Sequence, residues 1–417
     1  MLFLTRLALK NLARHRNRTL ITASIIAFAI FFYLLLDSLI GGMTEMSYEM
    51  IINYEAGHLQ VVTEEYWMEE EELPLENLVA ADSQLIATIK SIPGYRGVSG
   101  ELNFQAMLNN GVNELPVIGR GINPQDFAEV IQLEDKFVEG KMFRAGERAS
   151  SGSPQVVMGK RLADLMKLRT GDFITLLVKD KNETFNTIEA EISGLVHTGN
   201  PLVNQGVVYL PLDLAQHALN VGNQVSKVLI RLEDKGRAPG VAQELEKQVK
   251  AIHPELAVYS WDQLEAVTVA AAKQMGNQLI MTIILLIAAI AIINTVILAA
   301  LERMEEIGMM KAMGLQTREV IYTFVLESTG IGLLGGFCGV LFGLVGVGLF
   351  TRIGLDFSAL MDISAFGIPV IGKIYGVWNP ASFIAVFAFG VIVSFLSSIL
   401  PAYWAADKDP IKAIYHK

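Results

Sequence analysis

Residues Thr19 to Gly41 read TLITASIIAFAIFFYLLLDSLIG, and Asp37 is their only charged side chain. A helix needs about 20 apolar residues to cross a hydrocarbon core of roughly 30 Å, and this stretch meets that length. Three others do as well: Gln278 to Leu301 (QLIMTIILLIAAIAIINTVILAAL), Ile321 to Phe350, and Ser382 to Ala405. Between the first and second lies a long segment of ordinary soluble composition, enough for one independent domain or two small ones. The fold class expected is therefore an α-helical membrane protein. Four transmembrane helices (19–41, 278–301, 321–350, 382–405) carry a mixed α+β extracytoplasmic domain, 42–277, inserted between helices 1 and 2.

Composition agrees. Of 417 residues 52% are hydrophobic and 18% charged, with mean hydropathy +0.41; soluble chains carry about a quarter charged residues. Charge gives the orientation. Residues 1–18 hold Arg6, Lys10, Arg14, Arg16 and Arg18 and no acid, and Lys/Arg beside a span marks the cytoplasmic face. Four spans return the C-terminus to that side, where Lys408, Lys412 and Lys417 agree. Residues 43–276 hold 20 Lys/Arg against 33 Asp/Glu, so the acidic half is the exported half. The first span is too long for a secretory h-region and no small-residue cleavage site follows, which reads as an uncleaved signal anchor. The one cysteine, Cys338, lies in the third span and is silent on redox compartment.

Residues 1–18 read as a cytoplasmic amphipathic helix, with Arg6, Lys10 and Arg14 on one face and Leu4, Leu7, Ala8 and Leu12 on the other. Gly42 to Ala56 reads as a stalk helix continuing from the first span, and Trp261 to Gln278 as a second stalk entering the next. Within the domain, alternation predicts strands over Phe173 to Lys179, Gln205 to Leu210 and Val225 to Glu233. Helical patterns fall at Ser83 to Ser91, Lys160 to Leu168, Leu212 to Leu219 and Val241 to Ile252. The segment after Val225 reads as a β-α-β unit closing against residues 83–110.

Chemistry-bearing motifs are few. The acidic run Glu69 to Glu72, with Glu64 and Glu65, lacks the interspersed Gly or Asn of a cation loop and reads as a solvated loop. Gly367-Ile-Pro-Val-Ile-Gly372-Lys373 begins like a phosphate loop, but Ile374 stands where a hydroxyl is needed. His197 reads as a turn or surface histidine, and no histidine shows metal spacing. No catalytic residue, metal site, bound cofactor or nucleic-acid partner is expected. Gly335, Gly339 and Gly343 recur at fours in the third span, as do Gly332 and Gly336; such spacing lets helices touch backbone to backbone, within one chain or between subunits. Glu327 lies in the same span, with Arg303 or Lys311 as candidate partners. Asn294 is placed to hydrogen-bond a neighbouring helix. The cytoplasmic loop LERMEEIGMMKAMGLQTREV (Leu301 to Val320) reads as a short amphipathic helix over 302–317. Ile307, Met310 and Met313 recur at threes, Gly314 stops the helix, Thr317 caps the next, and exposed methionines suit a partner's groove.

Glu302 to Gly314, as E-x-x-E-E-I-G-x-x-K-A-x-G, resembles the coupling-helix signature of FtsX-like ABC permeases. LALKNLARHRNRTLIT resembles that family's N-terminal helix. Leu400 to Ile414 (LPAYWAADKDPIKAI) resembles its closing pattern, and Val156 to Leu176 resembles the MacB-like periplasmic core. The resemblance implies a type VII ABC transporter permease of the bacterial inner membrane, with both termini cytoplasmic and the large domain periplasmic. Two permeases, identical or paralogous, would pair in the lipid bilayer. Two copies of a separate ABC ATPase would bind ATP and Mg and drive the domains through the stalks by mechanotransmission. MacB-like exporters fuse the ATPase N-terminally; here only residues 1–18 precede the first span, which implies an ATPase in trans. The coupling residues implied are Glu305, Glu306, Ile307, Gly308, Met309, Met310, Lys311, Ala312, Met313 and Gly314. Gly194 to Leu219 looks most like the lipoprotein-releasing branch, implying extraction of a lipoprotein for a periplasmic carrier, with Phe28, Phe31, Phe32 and Tyr33 facing substrate. Export of periplasmic peptides, toxins or drugs is the alternative. Signalling to cell-wall hydrolases is another, and a receptor feeding a sensor kinase a third.

Overall fold

The computed structural model describes residues 2–14, 16–301, 304–356 and 373–407. Arg303, the loop Gly367 to Gly372 and the closing residues from Lys408 lie outside that set. Two compact units emerge. Among the described residues one comprises residues 2–45, 272–356 and 373–407; the other comprises Met46–Ala271.

In chain order the elements open with α1 (Leu2–Arg14) and α2 (Arg16–Ile51). β1 (Leu59–Thr63), α3 (Glu64–Met68), β2 (Val79–Ala80), α4 (Ser83–Lys90), β3 (Tyr95–Asn109), β4 (Glu114–Ile122) and α5 (Pro124–Val130) follow. Next come β5 (Phe137–Gly140), β6 (Gln155–Gly159), α6 (Lys160–Met166), β7 (Phe173–Lys179), β8 (Phe185–Val196), α7 (Pro201–Gly206), β9 (Val207–Pro211) and α8 (Leu212–Leu219). The domain ends with β10 (Gln224–Val225), β11 (Lys227–Leu232), α9 (Ala238–Lys250) and β12 (Leu256–Ser260). Membrane helices resume with α10 (Glu265–Leu301), then α11 (Met304–Ala312) and α12 (Thr317–Ile353). Short strands β13 (Leu355–Asp356) and β14 (Lys373–Ile374) precede α13 (Pro380–Asp407). Helices α2, α10, α12 and α13 are each long and apolar enough to cross a membrane.

In the membrane unit, Ile26, Ile30 and Leu34 of α2 form a core with Ile292 and Val296 of α10, Ile331 and Val347 of α12, and Val386 of α13. Helix α1 rests on α12, where a β-carbon at Gly330 would lie 2.8 Å from Leu12 Cδ1. Asn294 does not fulfil its expected role. It sits exposed on α10 between the inward Ile292 and Val296, so helical phase turns it away from the chain's own bundle.

The other unit is built on a ten-stranded sheet that partly closes on itself. Strand β3 pairs with β4, β4 with β9, β9 with β6, β6 with β8, β8 with β7, and β7 with β3 again. That ring is a six-stranded barrel, and closure leaves no free edge among its members. Alternation fills it: Leu102, Phe104, Ala106 and Leu108 from β3 meet Ile174, Leu176 and Val178 from β7 and Ile188, Ala190 and Ile192 from β8. The N-terminal part of β3 leaves the ring and continues the sheet outward through β11, β1 and β12. Strands β11 and β12 are both antiparallel to β1, which lies between them, so β11-α9-β12 is a split β-α-β unit. Helices α4 and α9 cover it with Leu85, Ile89, Leu245 and Val249. The expected β-α-β unit is thus present and does close against β3, with β1 interposed. Where the second stalk helix was expected from Trp261, a short 3-10 turn occupies Trp261–Gln263 and α10 begins at Glu265.

Candidate functional site

Helix α11 joins the second span to the third, and its shape is set by its exit. Gly314 adopts φ +96°, a region costly for residues with a β-carbon. Its N–H reaches the Lys311 carbonyl at 3.0 Å, and the Leu315 N–H reaches the Met310 carbonyl at 3.2 Å. These two bonds make a Schellman turn, which satisfies the last carbonyls of the helix and stops it. Gln316, not Thr317, caps α12: its N–H is donated to the Glu319 carboxylate at 2.9 Å. Glu319, three residues on, reaches back to that N–H, which moves the cap one residue upstream of the expected threonine.

The three-residue stripe does not survive as one face. Met310 packs inward on Val320, Phe324 and Ala402, anchoring α11 to the inner ends of α12 and α13. Met313 lies beyond the last helical residue and stands 73% exposed, with Met309 at 51%. Ala312 and Gly314 are exposed as well. Glu306 and Lys311 are half-buried, each held in a contact; Glu305 falls in the first turn of the helix, Ile307 and Gly308 in its middle. What α11 offers outward is therefore a short ledge with two flexible thioethers, a surface that adapts to an apolar groove.

The glycines of α12 divide between two neighbours. A β-carbon at Gly335 would lie 2.7 Å from the Ala23 carbonyl oxygen, and one at Gly339 2.8 Å from that of Ala27. Gly343 meets Leu34. Gly332 and Gly336 instead face α13, 2.7 Å from Ser394 Cβ and 2.9 Å from Phe387 Cδ2. All five glycines are thus spent on packing within the chain. Glu327 is buried on the same helix and held in a polar or electrostatic contact.

Of the four aromatics expected to face substrate, Phe28, Phe31 and Phe32 lie near one another and Tyr33 does not join them. Phe28 and Phe32 are exposed, their rings stacked at 6.1 Å. Phe31 joins Phe28 in an apolar groove of about 570 Å³ between α2 and α12, where Ala23, Ala27, Cys338 and Phe342 are among the lining residues. Tyr33 turns the other way, into a cleft with α10. The sequence reading places Cys338 in the third span but assigns neither it nor Phe342 to this groove.

Inside the other unit lies a set of buried charges that alternation alone did not flag. Glu101, Arg120 and Lys227 are all within 5% of complete burial. Arg120 stands 3.9 Å from Glu101, and so does Lys227. Lys227 also meets Glu70 at 3.0 Å. Burial alone would lower the Lys227 ammonium, but Glu70 and Glu101 outweigh it and hold it above the usual range. The acidic run is accordingly no simple solvated loop, since Glu70 closes over a buried cation and Glu64 pairs with Lys250 at 3.0 Å. His58 is buried too, its Nδ1 accepting the Leu232 N–H at 2.9 Å. Burial, and then the nearby Arg231, lower its pKa to about 4. His197 is exposed, as expected. Among the described residues no group of three or more His, Cys, Asp or Glu could hold a metal ion.

Against known proteins, the MacB-like periplasmic core domain family matches residues 19–248 and the FtsX-like permease C-terminal family residues 279–410. The macrolide export ATP-binding/permease protein MacB 2 of Aeromonas hydrophila is 25% identical over 98% of this chain and 60% of its own length. The lipoprotein-releasing system transmembrane protein LolC of Xylella fastidiosa is 23% identical over 80% of each. The chain thus spans less than two thirds of the macrolide exporter. Among solved structures, the periplasmic region of MacB from Actinobacillus actinomycetemcomitans aligns with TM-score 0.37 and 12% identity, over 52% of this chain and 94% of that one.

Proposed function

We propose, from the premise that this chain belongs to the MacB-like, FtsX-like family of ABC transporter permeases, that it is the permease subunit of an ATP-driven machine whose ATPase is a separate chain. The observation that carries the reading is α11. A Schellman turn fixes its end, Met310 roots it to α12 and α13, and Met309 and Met313 are left outward on the loop between the second and third spans. A rooted ledge transmits a push to the helices beneath it, whereas a loose loop absorbs one. ATP and Mg would act on the partner ATPase, two copies of which dock on a pair of permeases, identical or paralogous. With the N-terminus and α11 cytoplasmic, the large domain lies in the periplasm, and strokes of the ATPase reach it through α2 and α10.

Among cargoes, a lipoprotein drawn from the inner membrane and passed to a periplasmic carrier is the reading we favour. The relative named for lipoprotein release aligns over 80% of this chain and 80% of its own length, and Gly194 to Leu219 looks most like that branch. Export of periplasmic peptides, toxins or drugs is the second reading, favoured by the 98% coverage of this chain in the macrolide exporter alignment. Mass spectrometry of the complex purified gently from native membranes tests both. A co-purified ABC ATPase with acylated peptides is the expected result. An ATPase without acylated peptides moves the assignment to export, and the absence of any ATPase sinks the permease reading.

A further inference from the structure

A cleft of about 600 Å³ opens in the membrane unit between the outer part of α2, the facing part of α10 and the segment before α13. Its size is that of a small-ligand site. Polar and apolar side chains both line it. Asp37 supplies a carboxylate and Glu45, itself held in a contact, a second; among the described residues no Lys or Arg lines the cleft. Among the described residues no basic side chain pairs with Asp37. Tyr33 and Trp378 supply aromatic rings, the latter stacked on Phe383 at 5.8 Å and so held in place. Met281 and Leu285 continue the lining as apolar surface along α10.

A carboxylate within a transmembrane stretch costs free energy unless something compensates it. Asp37 is half-buried in α2, four residues before the end of the apolar stretch 19–41, with aromatic rings beside it. Aromatic faces attract cations, and an adjoining carboxylate supplies the full countercharge. An apolar strip running away from that end accepts an alkyl chain. The four features select one ligand chemistry: a positive head on an apolar tail.

We propose that this cleft binds the protonated amine of an amphiphile, with Asp37 as counter-ion, Tyr33 and Trp378 as aromatic walls and the Met281–Leu285 strip under the tail. The amine can be the headgroup of a membrane lipid or a free cationic amphiphile. The site needs no ATPase and stands apart from the coupling reading, so either can fail alone.

The test uses the full chain in phosphatidylcholine nanodiscs with tritiated tetradecylamine as probe, each variant compared in identical discs. Saturable binding is expected, displaced at least about tenfold better by unlabelled tetradecylamine than by its uncharged N-acetyl form, a gap of about 1.4 kcal/mol. Asp37→Asn should weaken probe binding about tenfold without changing the melting temperature, and Asp37→Asn/Glu45→Gln should abolish the preference for the charged head. Trp378→Leu should weaken binding a few-fold, the scale of an exposed cation–aromatic contact. Adding phosphatidylethanolamine to the discs separates the sources: competition assigns the site to a lipid headgroup, its absence to a free amphiphile, and both uphold an amine site. Equal displacement by amine and amide, or undiminished preference in the folded double variant, overturns the proposal.

Discussion

His58 shows how one buried side chain makes the sheet-built unit sensitive to acid. Its Nδ1 is committed to the Leu232 N–H, so a proton there must break that bond as well as enter a buried site. The folded pKa lies near 4, below the ordinary value of 6.5. Between those values the unfolded chain binds the extra proton and the native one does not. Stability is therefore full above pH 6.5 and falls as pH drops towards 4, by about 3 kcal/mol at most. Melting of the full chain should drop between pH 7.5 and 5.5, and His58→Gln, whose amide oxygen can still accept the N–H, should flatten that drop. An unchanged pH dependence in the variant removes His58 as the cause. Glu101 is a second such residue. It balances two buried cations, and Glu101→Gln leaves Arg120 and Lys227 with only peripheral compensation. The expected cost is about 3–5 kcal/mol, read by denaturant titration. Part of it should return in Glu101→Gln/Lys227→Met, because the second change removes a charge the first had orphaned.

At the scale of elements, the third span is a helix that depends on its own glycines. Gly339 faces the Ala27 carbonyl at a distance no side chain can relieve, because the opposing atom is backbone. Gly339→Ile should separate α12 from α2 and lower stability by about 1–3 kcal/mol. Gly348→Ala, whose nearest neighbour would be a Trp378 ring atom at 3.5 Å, should be neutral in the same melting assay. Elements like this one were legible in the sequence because their signals are local. Hydropathy marks the spans, alternation marks β7 and β11, and amphipathic spacing marks α4, α6, α8 and α9. The barrel was not legible, since its closure rests on β7 meeting both β3 and β8, and pairing across such separations leaves no mark in either strand. The buried charges hid for a related reason. Glu101 and Lys227 alternate with apolar neighbours as outward residues would, but β11 packs both its faces, so the polar phase is also inside. The cap at Gln316 was missed because threonine is the stronger generic signal; the Glu at the third helical position was the discriminating one.

At the scale of the whole molecule, the candidate coupling ledge makes a demand that can be isolated from folding. If α11 receives the stroke of an ATPase, the turn that ends it must be stiff, and its stiffness rests on Gly314 at φ +96°. Gly314→Val places a β-branched residue where the backbone disfavours any side chain, at a cost of about 1–2 kcal/mol, too little to unfold a four-span bundle. Nothing stands within 4 Å of the added β-carbon, so the effect is conformational rather than steric. The insertion level and melting temperature should therefore stay near those of the parent chain. Transport per ATP hydrolysed should fall several-fold, because the ledge would now yield when pushed. Met309→Asp/Met313→Asp should act differently, weakening ATPase docking itself by placing charge on the outward thioether positions. The two variants separate docking from transmission: one retains the ATPase without work, the other loses the ATPase. Parent-level transport in both would mean that force enters this chain somewhere other than α11.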